Sequence, residues 1–350
     1  MKVLIIKLSA FGDIIHSLPV VDCFKEYARR YHTDVDLHWL VENGWDRILR
    51  NCPEVHRVIL TDTKRWRGSF LDRATFQGLS AFWSELRREK YNLVVDINGL
   101  IRSAFLARLA RADLRVGFSK DSGILRERQS AYLLDRTFTI PSGHVVDQTV
   151  GLLEKVLGIK VPGTVHPYLP PNTTRAGEAR RVLDERNIAP HKYAVIAAGG
   201  GWETKLLHTQ SVAKFCNAVN GYGIKPVLSW SGNPEKDRAK GIMKSAGCEV
   251  EGLGDLPVDL FIEVLRLSRI VIGPDTGTVH SASAVKTPTV SYYGPSSAGY
   301  SGPRRPTDRV VQISPPCGPC FRRRCDRGLC NGLPIEKILD AIHEELGQNT

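Results

Sequence analysis

The sequence predicts an α/β protein of two domains, each built on a parallel β-sheet with helices on both faces. Short apolar runs alternate with segments of helical periodicity in both halves of the chain. A proline-rich stretch separates the halves, and 350 residues suffice for two domains with separate hydrophobic cores. Because crossover helices cover both faces of a parallel sheet, this alternation predicts doubly wound sheets.

The elements of the first half follow this alternation in order. Residues 2–8 form a short apolar run, which is typical of a buried parallel strand. Residues 14–28 have helical spacing with apolar side chains on one face, and this predicts a helix. The remaining predicted elements are strands at 35–41, 57–60 and 92–96 and a helix at 100–110.

Residues 161–174 contain four prolines and few periodic apolar positions. Prolines at this density end helices and remove strand donors, so we expect a linker. The sequence therefore predicts a domain at 1–165, a second at 166–335 and a C-terminal helix at 336–350. We expect both domains to be Rossmann-like and to face each other across a cleft. Strands of the second half are predicted at 193–198, 226–230, 269–272 and 287–292, each followed by a small-residue turn.

Composition excludes several classes of protein. The chain is 42% hydrophobic and 24% charged, which excludes collagen-like and intrinsically disordered chains. No window of about 18–20 residues is free of charges or Gly/Pro breaks, which argues against an integral membrane protein. The apolar run at 3–6 is interrupted early by Lys7 and Asp13, unlike a signal peptide. We therefore expect a cytoplasmic protein.

The net charge of +11 is concentrated in two places. Residues 1–165 carry 25 basic and 19 acidic groups, and residues 300–330 carry seven arginines and two aspartates. The rest of the chain is close to neutral. This distribution indicates either simple solubility or an anionic partner, such as nucleic acid, a phospholipid surface or a phosphorylated substrate.

The first chemical motif, residues 7–19, lies between the first strand and the first helix. Asp13 is expected near the helix N-terminus, where the helix dipole and free N–H groups stabilise a carboxylate. The alternative interpretation is that Asp13 only caps the helix. Gly12 is the only glycine of the motif, so the G-x-G-x-x-G pattern of a nicotinamide cofactor site is absent.

The second motif, residues 199–205, places three glycines after a predicted strand and ends in Lys205. Glycines let backbone N–H groups approach a phosphate, although the P-loop pattern is absent. A flexible turn with a solvated lysine is the alternative.

The third motif, residues 273–284, combines Asp275, two threonines and a helix N-terminus. Such a terminus is suited to bind a diphosphate. Alternatively, Asp275 or Thr276 caps the helix and His280 packs inside the fold.

Four of the eight cysteines form a pattern C-x2-C-x4-C-x4-C. This spacing predicts a structural tetrahedral zinc or iron site, with reduced thiols or disulfides as alternatives. Four thiolates leave no open coordination position, so such a metal would not be catalytic. Four arginines between 322 and 327 form either a solvated basic loop or a contact with an anionic acceptor or membrane. The predicted ligands are Cys317, Cys320, Cys325 and Cys330.

Taken together, these motifs resemble the bacterial lipopolysaccharide heptosyltransferases, which are inverting glycosyltransferases of family 9 with the GT-B fold. Residues 7–19 read K-x-S-x-x-G-D-x-x-H-x-L-P, as in the family's opening motif. The resemblance extends from residue 1 to about residue 300. Further segments in family order are 201–205, 230–235, 275–280 and 293–295, and those similar to the heptosyltransferase I branch are 41–42, 64–67 and 96–103.

The resemblance implies transfer of heptose from ADP-L-glycero-β-D-manno-heptose to a Kdo or heptose of the lipopolysaccharide inner core. It assigns the general base to Asp13, which would accept the sugar proton late, as the oxocarbenium-like centre makes that proton acidic. Lys205 would neutralise the leaving ADP. Glu235 would bind the ribose, Asp275 the donor hydroxyls, and His280 would lie near the phosphates. Donor contacts are expected at Gly200, Gly201, Thr204, Lys205, Glu235, Asp275, Thr276, Gly277, Thr278 and His280.

The same resemblance implies an acceptor side in the first domain and no cofactor required for catalysis. The expected partners are ADP-heptose and a Kdo-lipid A precursor, with peripheral contact at the inner face of the inner membrane and no nucleic acid. The acceptor-side residues are Lys7, Ser9, Gly12, Lys64, Arg65, Arg67, Asn98 and Arg102.

Two departures from the family pattern concern binding details. The glycine run 199–201 stands where the heptosyltransferase I branch has paired threonines, which shifts the expected donor contacts to backbone N–H groups. Asn98 replaces the usual glutamine. Two other functions remain open: a family 9 enzyme that modifies a protein or another glycan, and a nucleic-acid-binding protein with a metal knuckle. The latter is disfavoured because Phe321 is the only aromatic residue in 317–330.

Overall fold

The structure is a computed structural model that describes residues 1–68 and 72–347. The chain forms two compact units, Met1–Pro167 and Tyr168–Thr350. Within the described residues, each unit contains a six-stranded sheet in which all paired strands are parallel. The predicted α/β class with two parallel sheets is thereby confirmed.

The two sheets have the same strand order. The first is ordered β3-β2-β1-β4-β5-β6 and the second β12-β11-β10-β7-β8-β9. Each is therefore a Rossmann-type sheet, in which the direction of winding reverses between the first and fourth strands of the unit. The strands are β1 Lys2–Ile6, β2 Asp36–Glu42, β3 Arg57–Thr61, β4 Lys90–Asp96, β5 Arg111–Phe118, β6 Arg136–Phe138, β7 Tyr193–Ala197, β8 Lys225–Ser229, β9 Glu251–Gly252, β10 Ile270–Pro274, β11 Thr289–Tyr293 and β12 Asp308–Gln312.

Helices connect the strands and supply most of the remaining core. In the first unit they are α1 Phe11–Ser17, α2 Val20–Tyr31, α3 Asp46–Leu49, α4 Thr63–Gly68, α5 Arg73–Arg87, α6 Ile101–Leu109 and α7 Val145–Leu157. In the second unit they are α8 Thr173–Asp184, α9 Thr209–Asn220, α10 Gly232–Ser245, α11 Val258–Arg266, α12 Gly277–Ala284, α13 Ala298–Ser301 and α14 Glu336–Gly347. Short 3₁₀ helices lie at Arg128–Leu133 and Glu203–Lys205.

The cores explain why the apolar runs form strands. In β1, Val3, Leu4, Ile5 and Ile6 are completely buried, as expected for a central strand with helices on both faces. In the second unit, α14 buries Ile338, Ile342 and Leu346 against the core that contains α9. The last three residues of the predicted C-terminal helix lie outside the described residues.

The prediction of one helix at 14–28 is wrong. The segment folds as α1 and α2, which are separated at Leu18 and Pro19. Proline has no N–H group, and its ring collides with the carbonyl of the preceding turn, so a helix interior excludes it. Pro19 instead occupies the N-cap position of α2, where no donor is needed.

No α-helix among the described residues has both the length and the apolar character that crossing a membrane requires.

Candidate active site

Most of the predicted site residues gather where each sheet changes its direction of winding. In the first unit they follow β1 and β4, and in the second unit they follow β7 and β10. These strand pairs flank the topological switch points, and ligands of doubly wound sheets bind beyond the carboxyl ends of strands at such points. Each unit thus presents one candidate binding region.

In the first unit, the loops after β1 and β4 are joined by hydrogen bonds. The Leu8 N–H donates to Asn98 Oδ1 over 3.1 Å, and buried Lys7 donates from Nζ to the Ile97 carbonyl over 3.4 Å. Burial lowers the pKa of the Lys7 ammonium, while the negative charge of Asp13 acts in the opposite direction. Asn98 and Lys7 therefore hold the two loops together.

Asp96, which was not among the predicted site residues, organises the turn after β4. Its Oδ1 accepts the N–H groups of Asn98 at 2.9 Å and Gly99 at 3.4 Å, and its Oδ2 accepts the Ser103 hydroxyl at 2.9 Å. Burial raises the pKa of Asp96 to about 6, although these hydrogen bonds and the charge of Lys7 favour the ionised form. The carboxyl group thus fixes the backbone that carries Asn98.

Asp13 occupies the third position of α1 and is half-buried. Its Oδ2 accepts the Ala10 N–H at 3.1 Å, so the side chain does cap the helix. Within the described part of the chain, Oδ1 makes no hydrogen bond. The cap therefore orients the carboxylate and leaves one oxygen available for a substrate.

The other predicted acceptor-side residues are distributed around this loop. Arg102 donates from Nη1 to the Thr63 hydroxyl at 3.0 Å, and Thr63 donates to Glu42 Oε2 at 2.8 Å. Arg65 is exposed, and Ser9 and Gly12 are partly exposed in and beside the β1–α1 loop. The side chains of Lys64 and Arg67 lie outside the described residues.

In the second unit, Lys205, Asp275 and His280 form one cluster. Lys205 Nζ donates to Asp275 Oδ2 at 2.6 Å and to the Asp275 carbonyl at 2.8 Å. His280 Nε2 lies 2.9 Å from Asp275 Oδ1. Burial alone would favour protonated Asp275, but the hydrogen bonds and charges of His280 and Lys205 outweigh it and hold the pKa of Asp275 below its usual range.

The cluster lies beside the N-terminus of α12, whose first N–H groups have no partner within the helix. Thr276 is the N-cap residue, and Gly277 and Thr278 form the partly buried first turn. Thr276 Oγ1 is enclosed without a hydrogen-bond partner among the described residues. Lys205 Nζ also lies 4.3 Å from the centre of the Trp202 ring. A cation and a helix N-terminus together suit a diphosphate.

Two glycines after β7 allow close approach of other elements. A Cβ atom at Gly199 would lie 2.1 Å from Glu235 Cδ, and one at Gly200 would lie 3.0 Å from Thr276 Cγ2. The Glu235 carboxylate accepts the Ser231 N–H at 2.7 Å, and its side chain lies against Gly199, just after β7. Gly199 is thus required for the position of Glu235.

Thr204 is placed differently from the expected donor contact. The residue is buried, and its hydroxyl donates to the Arg322 carbonyl at 2.6 Å. Its side chain therefore binds the segment that contains the four cysteines.

The four cysteines do not fit the predicted zinc or iron site. Among residues 1–68 and 72–347, no three His, Cys, Asp or Glu side chains converge as metal ligands would. A tetrahedral site needs four sulfur atoms at about 2.3 Å from one centre. Cys317 is exposed whereas Cys330 is buried, so the thiols differ in their surroundings.

Two Rossmann-type sheets, each with candidate site residues after its central strands, are the arrangement of a glycosyltransferase of the GT-B fold class. Residues 79–330 match glycosyltransferase family 9 (heptosyltransferase), and the chain belongs to this family.

Similarity to individual proteins supports the assignment to this family. The chain is 29% identical to lipopolysaccharide heptosyltransferase 1 of Pseudomonas aeruginosa, over 93% of this chain and 87% of that protein. The solved structure of E. coli heptosyltransferase WaaC with ADP is 27% identical, with a TM-score of 0.75 and coverage of 89% and 93%. The same enzyme with ADP-2-deoxy-2-fluoro heptose gives a TM-score of 0.72 at 27% identity, over 89% and 92% of the two chains.

Proposed function

We propose that this chain transfers heptose from ADP-L-glycero-β-D-manno-heptose, with inversion, to a Kdo or heptose of the lipopolysaccharide inner core. The first domain binds the acceptor and the second binds the nucleotide sugar. Asp13 is the general base, and Lys205 stabilises the leaving ADP. The observation that carries this proposal is the Lys205–Asp275–His280 cluster beside the N-terminus of α12. The ADP and ADP-2-deoxy-2-fluoro heptose complexes of E. coli WaaC support the choice of donor.

On the donor side, cleavage of the glycosidic bond leaves a negative charge on the diphosphate. Lys205 and the N–H groups at the start of α12 stabilise that charge where it develops. Asp275 accepts from Lys205 on one oxygen and contacts His280 with the other, and it thereby fixes the position of the lysine. Glu235, held at the end of β7, binds the ribose hydroxyls.

On the acceptor side, a sugar hydroxyl attacks the anomeric carbon from the face opposite to the leaving ADP. Asp13 takes the proton of that hydroxyl as the new bond forms. Because the Ala10 N–H holds Oδ2, Oδ1 is the oxygen directed to the proton. Lys7, Asn98 and Arg102 shape the surrounding loops, and their polar groups suit a carboxylated acceptor.

The acceptor precursor is anionic, and the basic surplus of the chain suits its carboxylates and phosphates. The exposed arginines Arg65, Arg322, Arg323 and Arg324 are available for such contacts. We further propose that the protein binds peripherally to the surface of the inner membrane.

The function is tested by release of ADP from ADP-heptose in the presence of Kdo-bearing lipid A, together with mass analysis of the lipid. We expect ADP and a lipid heavier by one heptose, and neither product when UDP-sugars replace the donor. A heptosylated acceptor and a non-lipopolysaccharide glycan are the comparison substrates. Absence of ADP release, while a known heptosyltransferase releases it from the same reagents, would contradict the assignment.

A Gly199→Ala substitution is expected to weaken ADP binding about 10-fold, because a new methyl group displaces Glu235 and one good hydrogen-bonding contact is worth about 1–2 kcal/mol. Calorimetric titration with ADP measures the effect. Gly177→Ala, at an exposed glycine with nothing within 4 Å of the new Cβ, is the matched control and should bind ADP normally. If the Gly199 effect acts through Glu235, adding Gly199→Ala to Glu235→Ala causes no further loss.

A further inference from the structure

The loop between β7 and α9, residues 198–208, carries Lys205 but has little internal support. It contains three consecutive glycines at 199–201, whose backbone freedom makes ordering costly. Its internal backbone bonds run from the Lys205 N–H to the Trp202 carbonyl at 3.1 Å and from the Leu206 N–H to the Glu203 carbonyl at 3.1 Å. A loop of this kind keeps one conformation only when other elements hold it.

Arg238 of α10 holds the two ends of this loop. Its Nε donates to the Ala198 carbonyl at 2.7 Å, and its Nη2 donates to the Leu207 carbonyl. Ala198 and Leu207 lie outside the strands and helices, so their carbonyls need hydrogen-bond donors from other elements. Arg238 thus fixes the span of the loop.

The middle of the loop is held by the cysteine segment, residues 317–330, and by Asn331. The buried Thr204 hydroxyl donates to the Arg322 carbonyl at 2.6 Å, and the Thr204 N–H approaches the Arg323 carbonyl at 3.5 Å. Asn331 Nδ2 donates to the Leu206 carbonyl at 2.6 Å and to the Glu203 carbonyl at 3.3 Å. These contacts lie on both sides of Lys205 in the sequence.

The cysteine segment is in turn anchored to the same unit. The Phe321 N–H donates to the Pro295 carbonyl at 2.8 Å, and the Phe321 ring meets the Tyr300 ring edge-on at 6.1 Å between centroids. Arg323 also lies over the Trp202 ring, 5.6 Å from its centre. The segment therefore connects the β7–α9 loop to the region after β11.

We infer that the cysteine segment holds the β7–α9 loop in its conformation, and that Thr204 and Asn331 are positioning residues for Lys205. Thr204 acts through its hydrogen bond to the backbone of the segment and does not contact the donor. This inference rests on the proposed function, because it assigns Lys205 to the leaving ADP. It gives the cysteine segment a role that requires no metal.

The test compares Thr204→Val, which removes the hydroxyl at nearly constant volume, with Thr204→Ser, which keeps it. Misplacement of a catalytic group by about 1 Å costs about 100-fold in rate, so we expect kcat to fall about 10–100-fold in Thr204→Val. KM for ADP-heptose should change less than about 3-fold, because Lys205 acts mainly on charge that develops in the transition state. Thr204→Ser should keep kcat within about 3-fold of the wild type, and all assays run well below the Tm of each variant.

Hydrogen–deuterium exchange of peptides covering 199–207 gives a second readout that does not depend on any substrate. Exchange should be faster in Thr204→Val and unchanged in Thr204→Ser. Asn331→Ala should show the same faster exchange and decides the question if Thr204→Val does not fold. Wild-type kcat and wild-type exchange in the valine variant, or equal losses in the valine and serine variants, would overturn the inference. Failure of the wild type to release ADP would reject the proposed function instead, since the exchange comparison remains valid.

Discussion

Replacement of Asp13 by asparagine is expected to lower kcat by about 10²–10⁴-fold, the range that a positioned general base contributes. Asparagine has nearly the same shape, and its side-chain oxygen can still accept the Ala10 N–H, so α1 should keep its cap. The proton of the acceptor hydroxyl would then have no carboxylate to receive it. Initial rates of ADP release at saturating substrates measure the effect.

Asp22→Asn is the matched control for this experiment. Asp22 lies in the first turn of α2, so the substitution makes the same change of charge near a neighbouring helix N-terminus. The control should turn over at the wild-type rate, and both variants should bind ADP as the wild type does. Undiminished turnover of Asp13→Asn would exclude Asp13 as the base.

Replacement of Lys205 by methionine is expected to lower kcat by about 10²–10³-fold, since one preorganised group that stabilises a developing negative charge is worth that much. Methionine keeps most of the length of the side chain and removes its charge. Lys214→Met, at an exposed position of α9, removes the same charge from the same unit and should leave kcat unchanged. A Lys205→Met enzyme with wild-type kcat would show that another group neutralises the ADP.

The Lys205 variant also affects stability, because it leaves Asp275, whose side chain is only 10% exposed, without its ammonium partner. Removing one member of a buried ion pair typically costs about 3–5 kcal/mol. The double variant Lys205→Met with Asp275→Asn should therefore recover Tm while kcat stays low. This combination separates the charge needed for catalysis from the charge needed for folding.

Sequence patterns predict eight of the twelve described strands and give no prediction for β5, β6, β9 and β12. β1, β4, β7 and β10 are predicted because continuous burial selects continuous apolar runs. β5 was missed because arginines interrupt its pattern. Arg115 lies in that strand and uses its guanidinium on the Ala107 and Ala110 carbonyls and on Asp135. Strand β9 has two residues, too few for any periodicity.

In the candidate site, too, sequence patterns select some residues and not others. Asp13, Lys205 and Asp275 could be selected as candidates because they lie beside small residues close to strand ends, where doubly wound folds bind ligands. Arg238 and Asn331 could not, because each donates to backbone carbonyls that are distant in the sequence, such as Ala198 and Leu206. A carbonyl group has no signature in the residue types, so only the folded chain reveals such partners.

Each sheet is completed by strands from its own half of the sequence, and no strand pairs across the boundary at Pro167 and Tyr168 in the described residues. Substitutions at the switch point of one sheet therefore leave the backbone hydrogen bonds of the other sheet intact. Under the proposed division of labour, acceptor preference can evolve in the first 167 residues while the nucleotide-sugar site stays constant. Related enzymes with new acceptors are then expected to differ mainly in the loops after β1 and β4, and chimeras joined within the proline-rich linker should exchange acceptor preference as a unit.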